Sequence, residues 1–283
     1  TNENDFYLLN GQDSYYTNGF FAQFSIAKQK KEQKIINQFS IAQTMFTTHN
    51  RRYVWSGLEP LDRPYCGYLS IKYTRNRFLS SNQLFAYAVD FGGTGDYALA
   101  QKLYSWYHKK LGLFEYPYWD FQIPTSIGIN VSIKYAKSYT TQNKHWQITP
   151  TYEATLGNYF INTKAGVYLT TGSFKTINNS VLFNSLISTK NNQSNSKKQF
   201  IYYLYPQIIL QGYNATIQGE MNKTYDSTVF TTKPQPIIFQ STLGAAYAKN
   251  RITAKLEYVF QTREVINQIT NHRWVGFHFG YRF

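Results

Sequence analysis

The chain has 283 residues and a formal net charge of +14, with 18% aromatic residues (26 Tyr, 21 Phe, 5 Trp), yet its mean hydropathy is only −0.45. No apolar run approaches the roughly 20 residues that a transmembrane helix needs, and the single cysteine, Cys66, excludes an intramolecular disulfide framework and a cysteine-rich zinc site. The positive charge comes without a recognition helix, zinc knuckle or other nucleic-acid motif, so an anionic membrane lipid is the better expected partner.

Strand-like segments recur over 2–9, 15–28, 34–46, 65–75, 82–92, 126–137, 145–157, 159–171, 199–212, 236–249, 251–263 and 273–283. Side chains alternate across a strand with period two. Ile129-Asn130-Val131-Ser132-Ile133-Lys134-Tyr135 and Ile252-Thr253-Ala254-Lys255-Leu256-Glu257-Tyr258 follow that period, with Lys134, Lys255 and Glu257 on the polar face. A lumen tolerates such charges and lipid does not. The chain ends the same way: Val275, Phe277, Phe279, Tyr281 and Phe283 share one face, and Gly276, His278, Gly280 and Arg282 the other. Alone, that strand suits a soluble sandwich as well as a barrel. A terminal aromatic closing it is similar to the C-terminal signature of bacterial outer-membrane barrels. With abundant Tyr, Phe, Thr, Asn and Gln and an even strand count, the expected fold is all-β. It is one closed antiparallel outer-membrane barrel of about twelve strands over residues 1–283, with no repeat or linker. No signal peptide is present; a barrel needs export, so Thr1 reads as a mature or trimmed terminus.

Asn250-Arg251 and Gly157-Asn158 read as short links, whereas 47–64, 93–125, 172–198 and 213–235 are long. With both termini periplasmic, 47–64, 93–125 and 213–235 fall on the outer side. The stretch 172–198, rich in Asn, Ser, Thr and Lys, falls on the periplasmic side as a flexible loop. Asp96 to Gly112 reads as a helix, with Asp96 as N-cap, Gly112 as C-cap and Lys109-Lys110 complementing its negative end. Leu99, Leu103, Tyr107 and Leu111 share one of its faces, with Tyr104 and His108 close to that stripe. A helix in an outer loop of a barrel suggests a site.

Several pieces then occur in a telling order. They are Glu3-Asn4-Asp5, Tyr15-Tyr16-Thr17-Asn18-Gly19, Gln43 to Thr47, Asp62-Arg63-Pro64-Tyr65-Cys66-Gly67-Tyr68, Gly92 to Gly95 and the helix carrying His108. Tyr116-Pro117-Tyr118-Trp119-Asp120-Phe121-Gln122, Tyr213 to Gly219, Tyr258 to Glu264 and the terminal strand follow. In order and spacing the chain resembles the lipid A 3′-O-deacylase family, although the likeness is patchy between about 137 and 199. The resemblance implies a calcium-dependent outer-membrane esterase acting on lipid A at the cell's outer surface, in which a histidine activates water. On matching positions it implies His108 as general base and Asn4-Asp5 as the essential pair near the metal. It also implies Thr17 as the active-site threonine, and Arg51 and Arg52 as contacts to anionic groups of the substrate. Two positions depart from the family. Tyr104, expected among the substrate contacts, stands where Gln is usual four residues before the histidine. Phe114 stands where some members have Glu, with Glu115 adjacent and able to replace it as a metal ligand by a one-residue loop shift.

Chemistry gives independent support. Ester hydrolysis by water needs a base of near-neutral pKa, which histidine supplies. It also needs a positive centre for the developing oxyanion, and a hard cation held by carboxylate and carbonyl oxygens provides one. Asp5 with Glu3 or Glu115 offers such ligands. Asp62-Arg63-Pro64 reads as a structural, salt-bridged strand start, and His49, His145, His272 and His278 show no cooperative spacing. Two other readings stay open. One is a non-catalytic barrel, a pore or a binder of lipopolysaccharide, favoured by the Tyr104 and Phe114 departures. The other is a serine-histidine phospholipase barrel using Ser105, although no Gly-x-Ser-x-Gly elbow is present. The expected partners are lipopolysaccharide and the outer membrane, with the protein a monomer.

Overall fold

The computed structural model of the chain describes residues 1–8, 14–30, 33–49, 61–112, 117–187, 198–225 and 229–283. Its strands are β1 (Asn2–Asn4), β2 (Tyr15–Lys30), β3 (Gln33–Thr47), β4 (Cys66–Ser80), β5 (Gln83–Thr94), β6 (Ile127–Lys137) and β7 (Tyr139–Thr140). They continue with β8 (Trp146–Gly157), β9 (Phe160–Gly172), β10 (Gln199–Asn214), β11 (Ile237–Lys249), β12 (Ile252–Gln261) and β13 (His272–Tyr281). Two helices, α1 (Ala100–Leu111) and α2 (Ala215–Gln218), lie in the connections. Consecutive strands pair antiparallel except β6 and β7, which both pair with β8, and β1 pairs with β13, so the sheet closes. The two-residue β7 continues β6 beyond Ser138 and pairs with β8, leaving a barrel of twelve staves with one extra strand. Closure removes the free edges that an open sheet would present.

The expected alternation holds. Ile129, Val131, Ile133, Leu256, Phe277 and Phe279 point outward and are exposed, whereas Asn130, Lys134, Glu257 and His278 point into the lumen. There Lys134 and Lys164 pair with Glu153 at 3.8 and 3.5 Å, and His278 Nε2 meets Glu257 at 2.8 Å. A belt of exposed aliphatic and aromatic side chains around a polar interior is the surface that hydrocarbon covers. No described helix is long and apolar enough to cross a membrane; the crossing is made by strands. The chain leaves β1, β3, β5 and β10 at one rim, here the upper rim, and leaves β9 at the lower rim, where β13 also ends.

Three expectations need correction. The first strand stops at Asn4 instead of running over 2–9, because Asn4 Oδ1 accepts the Phe6 N–H at 2.7 Å and turns the chain into the 3₁₀ turn Phe6–Leu8. The helix does not start at Asp96. A 3₁₀ turn, Gly95–Ala98, comes first, and Leu99 adopts φ 56° before α1 begins; Gly112, at φ 63°, ends it as expected.

The third concerns 172–198, expected as a flexible loop. Its described part, up to residue 187, folds into the lower mouth. Ile177 packs among Ile36, Phe78 and Leu84, and Val181, Leu182 and Leu186 pack against Ile201 and Tyr203. Backbone carbonyls carried into that mouth need donors. Lys34 Nζ bonds Asn178 O at 3.0 Å and Ser185 O at 2.6 Å, Lys255 Nζ bonds Leu182 O at 2.9 Å, and Arg282 Nη1 bonds Leu186 O at 3.0 Å.

The upper mouth is tied from within. Arg63 is fully buried and lies 3.9 Å over the Phe46 ring. It pairs with Glu264 at 3.2 Å and donates to Thr216 Oγ1 at 3.1 Å. Glu264 Oε1 accepts from Asn214 Nδ2 at 3.1 Å. Asp62 accepts from Tyr15 Oη at 2.6 Å, from Thr48 Oγ1 and from the His49 N–H. Arg63→Ala strands the Glu264 charge in this mouth. It should lower unfolding stability by about 3 kcal/mol, read as an earlier loss of the compact electrophoretic form on heating or in urea.

Candidate active site

The register sets one row of residues across the outside of the upper wall. Asn4 pairs with Asn18, Asn18 with Met45, and Met45 with Gly67. By strand parity all four share the outward face of Phe20, Ile41 and Ile71, which are exposed lower on the same strands. Beside Asn18 the ladder shifts between Tyr16 and Asn18, which leaves Thr17 as the extra residue of a bulge. Thr17 Oγ1 donates to the Met45 carbonyl at 3.3 Å.

Helix α1 lies against this outer wall. A Cβ built on Gly67 would stand 2.2 Å from the Ala100 Cβ and 2.9 Å from that of Ala98, so only glycine lets the helix approach this closely. Gln43 Nε2 holds the Ala98 carbonyl at 2.7 Å. Tyr97 covers Gly93, on the outward face of β5. One turn apart on α1, Ala100, Tyr104 and His108 share a face. Ala98, Ala100, Met45, Tyr65, Tyr118 and Trp119 form a buried cluster, and Tyr104 packs against it. The Tyr104 ring stands 3.9 Å from the His108 ring and 5.6 Å from that of Trp119. The returning turn, Pro117–Phe121, is tied to α1 by Gln101 Nε2 donating to Asp120 Oδ1 at 2.7 Å. The Ile123 N–H donates to Tyr65 O at 2.8 Å.

Met45 is thus a joint: its carbonyl takes the Thr17 hydroxyl and its side chain lies in the cluster beneath α1. Asn4 lies two strands away on the same row. Asp5, the next residue, is fully buried, and its Oδ2 accepts the Ser14 N–H at 2.7 Å. Arg51, Arg52 and Glu115 fall outside the described residues.

The histidines separate by environment. His278 is engaged with Glu257 in the lumen, His272 Nε2 contacts Tyr16 O at 3.0 Å, and His145 sits in the exposed turn at the lower rim. His49, which spacing left unassigned, comes close to the predicted site residues. Its Nδ1 is 3.3 Å from Ser14 Oγ and its ring stacks on Tyr15 at 5.7 Å. Asp62 binds the His49 backbone N–H, not its ring, so among the described residues no carboxylate orients the Ser14–His49 pair as in a catalytic triad. Ser105 makes no hydrogen bond to His108. Pairings of this kind depend on register and loop closure, and no local motif signals them.

Among the described residues, no three of His, Cys, Asp and Glu converge as a metal cage. Beside the row, the donors are hard oxygens: the Asp5 carboxylate, the Asn4 and Thr17 side chains and nearby backbone carbonyls. That set suits calcium rather than a soft transition metal.

The family model described as "Outer membrane protein LpxR" matches residues 1–283. The chain belongs to the LpxR family. The solved structure of LpxR from Salmonella typhimurium is similar over 100% of this chain and 98% of its own, with a TM-score of 0.80 at 19% identity. The beta domain of the Bordetella autotransporter BrkA is a more distant likeness, with a TM-score of 0.52 and 8% identity over 94% of this chain and 90% of that one. No curated protein matches the chain in sequence. Membership of the LpxR family makes this an outer-membrane lipid A deacylase.

Gly67→Val should test the seating of α1. The barrel should still fold, while the 95–126 connection becomes open to limited proteolysis. A shift of the helix by about 1 Å should cost roughly a hundredfold in deacylation, measured by mass spectrometry of lipid A.

Proposed function

We propose that the protein removes the 3′-O-linked acyl chain of lipid A at the exterior face of the outer membrane, with His108 as general base. The observation that carries this reading is the place of His108. It sits on a helix clamped to the outside of the barrel wall, on the same rim as Asn4 and Thr17 and immediately above the apolar belt. An ester that joins a sugar headgroup to an acyl chain lies at that boundary of the membrane.

In this mechanism an imidazole nitrogen of His108 takes a proton from water as the oxygen attacks the ester carbonyl. The tetrahedral intermediate then collapses, the bond to the sugar oxygen breaks, and His108 returns the proton to that oxygen. A fatty acid and a free hydroxyl leave. Tyr104 holds the imidazole by a close, tilted ring contact, itself held by Trp119. Asp5, with Asn4, Thr17 and Glu115, would hold calcium, which supplies positive charge for the developing oxyanion. Arg51 and Arg52 contact the phosphates of lipid A.

A monomer suffices for this chemistry. The pore reading loses support from the packed segment in the lower mouth and the ion pairs across the lumen. The serine reading loses support because Ser105 and His108 do not bond. His108→Ala should retain the folded barrel and lose about 10²- to 10⁴-fold in rate, the usual worth of a general base. Release of acyl chain from purified lipid A should stop with a calcium chelator and resume on adding calcium. Full activity in chelator would exclude the calcium role and leave the histidine to be judged by His108→Ala. In Glu115→Gln, a negative charge is removed with little change of shape. Half-maximal activity should need more calcium; an unchanged calcium response would remove Glu115 from the ligand set.

A further inference from the structure

The outer surface of α1 carries an unusual division. At 100° per residue, Ala100, Gln101, Tyr104, Ser105 and His108 face the wall and the returning turn. Trp106, Leu103 and Tyr107 fill the next sector, with Leu99 at the N-cap just before the helix, and these side chains are 58%, 43%, 52% and 49% exposed. Lys102 and Lys109 occupy the third sector, on the opposite side of the wall-facing strip. Lys110, near the helix end, falls among the apolar residues, with a stem long enough to carry its charge away. A helix with one wall-facing side needs only one polar side if the remainder meets water. Here the remainder is divided into apolar and basic sectors.

The helix position accounts for this. α1 rests on the outside of the barrel at Gly67, and Tyr97 covers Gly93. Directly below, on the same outward faces, are Leu69 and Ile71 of β4 and Phe91 of β5, the last two exposed in the apolar belt. An apolar sector turned down this wall continues the lipid-facing surface of the barrel, and the lysines then border its other side, at the level of headgroup phosphates. We infer that α1 is an interfacial helix, with Leu99, Leu103, Trp106 and Tyr107 immersed among outer-leaflet acyl chains and Lys102 and Lys109 at the lipid phosphates. The groove between α1 and the wall then opens sideways into the leaflet, and a lipid reaches His108 without leaving the membrane. This rests on the barrel's place in the outer membrane and not on the deacylase chemistry.

The test uses the full-length barrel in mixed phosphatidylethanolamine–phosphatidylglycerol vesicles, with Cys66→Ala as background. Spin labels go on Leu103→Cys, Tyr107→Cys, Lys102→Cys and Lys109→Cys in turn, with Leu99→Cys replacing any apolar position that fails to fold. Labels at 103 and 107 should collide with oxygen, which concentrates in hydrocarbon, severalfold more than with a water-soluble nickel chelate. Labels at 102 and 109 should show the reverse. Equal nickel accessibility at all four positions would place α1 in water and overturn the inference. So would shielding of 103 and 107 from both reagents that disappears on dilution of protein in lipid, because a second copy would then be the cover. Activity enters neither readout, so a failed deacylase assay leaves this result independent.

Discussion

A closed sheet allows no strand to slip. Each stave is paired on both sides, and a shift of one residue in any of them would turn its lipid-facing side chains into the lumen. That constraint carries the row Asn4, Asn18, Met45 and Gly67 across four strands at one height and on one face. Those positions come from four distant parts of the sequence, and none touches the others through a local motif. The bulge at Thr17 is the one interruption in these ladders: the β2–β3 register shifts by one residue there, and the extra side chain turns onto the Met45 carbonyl. Gly67 then converts the row into a site, since the absence of its Cβ is what admits Ala98 and Ala100 and so brings Tyr104 and His108 to the wall.

The charge of the chain has an internal account. A net +14 suggests an anionic partner, yet Lys34, Lys255 and Arg282 are directed inward to carbonyls of the segment in the lower mouth. Arg63 is committed to Glu264, and Lys134 and Lys164 to Glu153. These cations hold the two mouths and the middle of the lumen. The charge left for a lipid surface is therefore better judged from α1, where Lys102, Lys109 and Lys110 are exposed, than from the total.

Most strands were legible because a barrel writes its period into every stave: the expected 236–249 and the observed Ile237–Lys249 differ by one residue. The failures have particular causes. An Asx turn at Asn4 ended β1 early, a capping event that a strand pattern cannot express. The 172–198 stretch looked disordered from its Asn, Ser and Thr content, but Ile177, Val181, Leu182 and Leu186 are spaced among those polar residues and find apolar partners on several staves. On α1 the Leu99, Leu103, Tyr107 stripe does share one apolar face, which is exposed, and the side seated on the wall is the neighbouring one of Ala100 and Tyr104, which the period alone does not select. The clearance over Gly67 decides this, because it accepts a methyl group and not a leucine. Of the candidate site residues, the motif order supplied Asn4, Asp5, Thr17 and His108. It could not supply His49, whose approach to Ser14 depends on the closing of the upper rim.

Tyr104 shows how a departure from a family pattern can be absorbed. A glutamine one turn before a histidine would orient it by hydrogen bonding. The tyrosine ring meets the imidazole at 3.9 Å with an interplanar angle of 34° and rests on Trp119. Trp119 is itself buried against Tyr65, whose carbonyl fixes Ile123 at the end of the returning turn. Orientation thus passes from an amide dipole to a series of packed rings. Packed rings restrict the tilt of the imidazole. The cost is a longer lever, since the histidine plane now depends on Tyr65, Trp119 and Tyr104 together. The imidazole is then only as well placed as the contact between Gly67 and α1 on which that cluster rests.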